Sequence, residues 1–143
     1  MDKEKLKKIE YIVCCLKEFY HNSDPFYIAR ELGVKCNICP LTADTPAFSA
    51  KETKDDPGTI FINSKLSLYS RKILCAHELG HLFFHDDYLE LLFDPEINPV
   101  YEYEANYFAA MLLPQIAVDV NIKKFTIEEF NEYIANKITK DKI

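Results

Sequence analysis

The sequence carries no surplus of basic residues: 17 Lys and Arg stand against 23 Asp and Glu, a formal net charge of −6. Gripping nucleic-acid phosphates needs a concentrated basic patch. A nucleic-acid surface is therefore not expected as the chain's main business, and no convincing helix-turn-helix pattern is present. The one basic cluster, Lys3, Lys5, Lys7 and Lys8, is interleaved with acids and reads as the solvated face of a helix. No apolar run approaches the roughly 20 residues that a bilayer crossing requires. The start, Met1-Asp2-Lys3-Glu4-Lys5, is highly charged and lacks a following apolar region, so no signal peptide is expected. Five cysteines, an odd number, do not suggest a disulfide framework; free thiols and a cytoplasmic location are expected. Repeats, low-complexity tracts and clear linkers are also missing. With 48% apolar and 28% charged residues, the 143-residue chain reads as a single globular domain, 1–143, long enough for one real core.

What is present is an order of helices and short strands. Leu6, Ile9, Ile12, Val13, Leu16 and Phe19 recur at a helical period over 3–20. Asp24-Pro25 marks a helix start and Gly33 a stop, giving a short helix over 25–32. Val34–Leu41, Ala47–Ala50 and Thr59–Ile62 are β-type runs parted by turns such as Asp56-Pro57-Gly58. Helix returns from about Ser67 to His85 or Asp86. A proline-containing stretch, Asp94 to Pro99, precedes a helix from Tyr101 to Leu113 that Pro114 ends. Thr126 with Glu129 three residues later is a capping-box pattern opening a last helix, about 126–138. This order predicts an α+β domain with a small sheet packed beside helices.

The strongest chemical signal is His77-Glu78-Leu79-Gly80-His81. Histidines at i and i+4 project from one helix face, one turn apart, and can share one metal ion. Glu78, one step round, falls where a general base for a water on that ion belongs. Apolar residues at 73, 74, 76, 79, 82, 83 and 84 surround the helix, so it should be buried. Two imidazoles and a carboxylate inside it would be costly to desolvate without partners. A metal is the economical partner.

A catalytic zinc takes three protein ligands and keeps a fourth position for water. His85 extends the i+4 series but lies about 12 Å along the axis from His77, too far to join the pair easily. A carboxylate from the 101–113 helix is the better third ligand. Glu102 shares its face with Ala105, Asn106 and Ala109, small residues that allow close approach, and Gly80 would help the two helices meet. Glu104 shares its side with Tyr107, Phe108 and Met111. Glu102 is therefore preferred, with Glu104 as the alternative, and Asn106 is placed to hydrogen-bond a ligating histidine. Tyr101, Tyr103, His85 and Arg71 are unranked candidates for a further donor to a developing oxyanion.

The cysteines point elsewhere. Cys36-Asn37-Ile38-Cys39 has no second CxxC and lies in a strand, so a buried structural pair is expected rather than a metal or redox site. Cys75 falls off the histidine face and reads as core. No cysteine-protease signature is present, and His21 sits in a polar, exposed turn.

With His77–His81 and Glu102-Tyr103-Glu104-Ala105-Asn106-Tyr107-Phe108-Ala109-Ala110-Met111-Leu112-Leu113-Pro114 in view, the chain resembles the ImmA/IrrE family of metallopeptidases. Weaker likeness in Asp24–Gly33 and Gly58–Asn63 extends the resemblance over about 6–114. It implies a zincin-like fold, Zn2+ (or Mn2+) held by His77, His81 and Glu102, and Glu78 as catalytic base. It further implies cleavage of a protein substrate, a helix-turn-helix transcriptional repressor of a phage or mobile element. Pro114 follows Leu113 without the family's frequent methionine, and the tail after it matches no family motif. The competing reading is a zinc-containing anti-repressor that binds its partner without cutting it. The intact Glu78 favours the enzyme, because a structural zinc site has no use for a base.

Overall fold

The computed structural model describes residues 2–85 and 98–139. Helix α1 spans Lys3–Tyr20, opened by the Asp2 carboxylate, which accepts from the Glu4 and Lys5 amides. It buries Ile9, Val13 and Leu16 and leaves Lys3, Lys7 and Lys8 in solvent, as the charge alternation predicts, while Lys5 of the same cluster is half-buried over the Phe84 ring. Helix α2, Pro25–Glu31, starts under the Asp24 side chain and stops before Gly33, whose φ of +81° suits a residue without a Cβ.

Three strands follow: β1 Lys35–Cys39, β2 Ala47–Ala50 and β3 Thr59–Asn63. The sheet order is β1-β3-β2, with β1 parallel and β2 antiparallel to the central β3. Ile60 and Ile62 of β3 are fully buried. β1 is an edge strand, and the expectation that it buries its two cysteines is corrected accordingly: Cys36 and Cys39 are only half-buried. Cys36 meets Cys75 instead, at 3.9 Å between the sulfurs.

Helix α3, Leu68–Phe84, is capped by Ser67 and is buried without a break from Ile73 to His81. Helix α4 spans Pro99–Leu112 and packs closely against it. It begins two residues before the predicted Tyr101, because Asn98 caps it and Pro99 occupies the first turn, where its missing N–H costs nothing. The rest of the expected proline-containing stretch, up to residue 97, lies outside the described residues. Two 3-10 turns, Pro114–Ala117 and Ile122–Lys124, lead to helix α5, Ile127–Ala135, with the Thr126/Glu129 capping box in place. The architecture is α+β, with five α-helices and a three-stranded mixed sheet among the described residues. Among the described residues no helix is long and apolar enough to cross a membrane.

The meeting of α3 and α4 is what positions the site. At Gly80 a Cβ would lie 3.1 Å from both the Ala105 Cα and the Phe108 Cβ, so the missing side chain lets α3 come close to the α4 backbone. That contact sets the facing sides of the two helices, and hence the polar side chains on them, at fixed separation.

Candidate metal centre

His77 and His81 project from α3 one turn apart, and Glu102 reaches them from the first turn of α4. The His81 Nε2 lies 3.1 Å from the His77 Nε2 and 2.9 Å from Glu102 Oε1, and the His77 Nε2 is 3.2 Å from Glu102 Oε2. Ligands bonded at about 2.0–2.1 Å to a tetrahedral ion stand roughly 3.3 Å apart by geometry. The triangle of two imidazole nitrogens and a carboxylate therefore has the size and the donor chemistry that a small divalent ion requires, and these three residues form a group that could hold one. Glu104, the alternative third ligand, is not in this group.

The outer nitrogens of both imidazoles are held. His77 Nδ1 donates to Asn106 Oδ1 at 2.7 Å, the role that its place beside Glu102 predicts for Asn106. Asn106 Nδ2 donates in turn to Asn131 Oδ1 (2.9 Å), and Asn131 Nδ2 to the Pro99 carbonyl (3.1 Å). On the other side, His81 Nδ1 lies 2.8 Å from His85 Nδ1, and His85 Nε2 lies 2.8 Å from Glu104 Oε1. A carboxylate only accepts, so His85 places its proton on Nε2 and accepts at Nδ1. His81 then donates from Nδ1. With both rings neutral, the state an ion requires, these bonds leave the Nε2 lone pairs of His77 and His81 facing the triangle. Tyr101 stacks on the His85 ring at 4.0 Å and 14°.

Charge in the centre follows from burial and neighbours. Burial pulls His77 down, but the Glu102 charge and hydrogen bond, with Glu78, outweigh it and lift it to about 9. Burial dominates at His81 and drops it to about 4. For Glu102, burial pushes up, yet the charge of His77 and the close approach of both imidazoles hold it well below the ordinary carboxylate range. Glu78 is raised to about 7, chiefly by burial. Its Oε1 makes no close hydrogen bond among the described residues, and the buried Ser49 hydroxyl is near enough to the carboxyl to temper the rise. A buried carboxylate oxygen without a close hydrogen bond, 3.8 Å by its other oxygen from His77 Nε2, is placed to exchange a proton with something bound at the triangle.

The remaining sequence candidates scatter. Arg71 donates to the carbonyls of Leu66 and Ser64, and Tyr103 is packed in the core against Tyr107 and Phe130. Neither these two nor Tyr101 and His85 are among the residues lining the cleft that opens beside the centre. His85 is a hydrogen-bonding partner of His81 instead. Sequence reasoning did not foresee the His85–Glu104 pair or the reach of Asn131. The signal available for the first was a third histidine at i+4 and a second glutamate at i+2.

A family model described as the IrrE N-terminal-like domain matches residues 29–131. No curated protein and no solved structure matches the chain. The match begins and ends later than the likeness read from the motifs, and it takes in Asn131.

Proposed function

Because the chain belongs to the IrrE N-terminal-like domain family of peptidases, we propose that it is a zinc-dependent endopeptidase in which His77, His81 and Glu102 hold the ion and Glu78 is the general base. When bound, a divalent ion supplies Lewis-acid polarisation of the peptide carbonyl and makes water a better acid near neutrality. The chain's own groups do the rest. Asn106 and the His85–Glu104 pair keep the two imidazoles in the ligating tautomer. Glu78, poised near neutrality by burial, takes the proton of the attacking water on its free oxygen and gives it to the leaving amine. The cleft beside the centre admits the substrate chain.

The observation carrying this reading is the three-donor triangle with the buried Glu78 carboxylate at its side, one oxygen of which has no close hydrogen bond among the described residues. A site that merely stapled the fold would close its fourth position with a protein ligand and would not bury an idle acid. The substrate we propose is a helix-turn-helix repressor, the partner that the ImmA/IrrE resemblance implies, acted on in the cytoplasm.

The test pairs the purified chain with a helix-turn-helix repressor encoded beside its gene, in zinc or manganese. Discrete fragments from the unaltered chain are expected, and none from Glu78→Gln. Cleavage by a Glu78→Gln protein that holds its metal normally would refute the role of Glu78. An intact partner under all metals, bound but uncut, would favour the anti-repressor reading.

A further inference from the structure

The cleft beside the metal centre has a volume of about 460 Å³, and the asparagine side chains in its lining are already engaged. Asn63 donates to the carbonyls of Leu41, Thr42 and Thr45 and accepts from the Lys65 amide. Asn106 and Asn131 are tied to each other, to His77 and to the Pro99 carbonyl. Glu78 and Glu102 belong to the centre. Much of the remaining lining is aliphatic: Leu66, Ile73 and Leu74 at the start of α3, faced by Ile134, Ala135 and Ile138 from α5 and the turns after it. Among the described residues no lysine, arginine or aspartate lines the cleft.

The α5 side is anchored. The Ser67 amide donates to the Thr139 carbonyl at 2.9 Å, and the Thr139 amide donates to Ser70 Oγ at 2.7 Å. Ile138 is thus held between a fixed helix and a fixed residue, over the N-terminal turn of α3. Ile134, Ala135 and Ile138 all lie beyond residues 29–131, so this wall belongs to a part of the chain that the family match does not reach.

We propose that the Ile134–Ala135–Ile138 wall is the specificity element of the site and seats an uncharged aliphatic side chain of about leucine size beside the peptide bond to be cut. The inference rests on the peptidase reading above and names its substrate class. An aliphatic group entering here leaves water and strands no polar partner. A lysine or glutamate side chain would lose its hydration with no free counter-group in the wall to receive it, which is how a pocket rejects the wrong substrate.

The test uses the full chain loaded with zinc and four N-blocked dipeptide hydroxamates that differ in one side chain: glycyl, leucyl, lysyl and glutamyl. Acetohydroxamate, which has no side chain, reports on the centre alone. By calorimetry the leucyl probe is expected to bind about tenfold or more tighter than the other three, the scale of one buried aliphatic side chain. Ile138→Glu should bring the lysyl probe to the top of the series, and Ala135→Phe should erase the leucyl advantage by narrowing the wall. Both variants should keep acetohydroxamate affinity within about twofold, since neither touches the centre. Equal affinities across the series, or a preference for charge in the unaltered chain, would overturn the proposal and leave the peptidase reading standing. Failure of acetohydroxamate itself to bind would overturn the metal reading and this inference with it.

Discussion

The His81 imidazole is engaged at both nitrogens, and Glu104, two residues along α4 from Glu102, decides its tautomer through His85. Replacing Glu104 by leucine removes the carboxylate that accepts from His85 Nε2, so His85 no longer has a reason to keep its proton there. Metal affinity should fall roughly 10- to 100-fold, the usual effect of losing an outer hydrogen bond to a ligand. Glu104→Gln, whose Oε1 still accepts, should keep most of it; titration against a competing chelator reads both. A second expectation concerns pH. His77 is lifted to about 9 and Glu78 to about 7. Between those values Glu78 is mostly ionised while His77 still holds a proton that an ion must displace. Affinity should therefore rise about tenfold per pH unit from 7 to 9 and flatten above, with about one proton released per ion. Calorimetry in two buffers of different ionisation enthalpy counts that proton, and a pH-independent affinity would contradict it. The His77–His81 pair is legible in the sequence because one helical turn dictates it. The proximity of Glu102 and the bond from Asn106 are legible because small neighbours mark their face. The His85–Glu104 pair is not, since helical rise gives a distance along α3 and says nothing about which side chain on another helix comes level with it.

Between elements, the contact at Gly80 sets two effects against each other. Gly80→Ala gains about 1 kcal/mol of helix propensity, but its Cβ would sit 3.1 Å from the Ala105 Cα, a backbone atom that cannot step aside. Overpacking of this kind costs about 1–3 kcal/mol. Net stability should change little or fall slightly, while Gly80→Val should lose roughly 1–3 kcal/mol in denaturant unfolding. Metal affinity should drop in both, because pushing α3 from α4 widens the triangle; unchanged affinity in Gly80→Val would show that the helix contact does not set it. Helix starts are largely readable from the chain: Asp24-Pro25 and Thr126 with Glu129 act where their chemistry predicts. The start of α4 is less so, since Pro99 reads as a breaker until Asn98 is seen to cap it. The cysteines show the same limit. Cys36 and Cys39 look like a unit in the sequence, but a strand turns residues three apart to opposite faces, and Cys36 finds Cys75 on α3.

For the molecule as a whole, the apolar core is built from side chains other than the three metal-ligand candidates. Buried apolar side chains from α1, α2, α3, α4 and α5 join those of β3 in one cluster. Stripping the protein with a chelator should leave its far-UV circular dichroism intact, unlike a zinc finger, which unfolds without metal. Thermal stability should still drop: a ligand at a hundredfold excess over its Kd adds about 2.7 kcal/mol, on the order of 10 °C for a chain of this size. Loss of secondary structure on chelation would show instead that the ion holds the fold. The α+β arrangement was readable from the order of helical and alternating segments. The C-terminal wall of the cleft was not, because nothing local in Ile134 or Ile138 says that Thr139 ties their segment back to Ser67 and Ser70. That tie matters for anyone drawing expression boundaries. A gene cut at residue 131, where the family match ends, would remove Ile134 from the core cluster and bare Ile73 and Leu74 on one flank, so a product that clumps would report the missing wall rather than the domain itself.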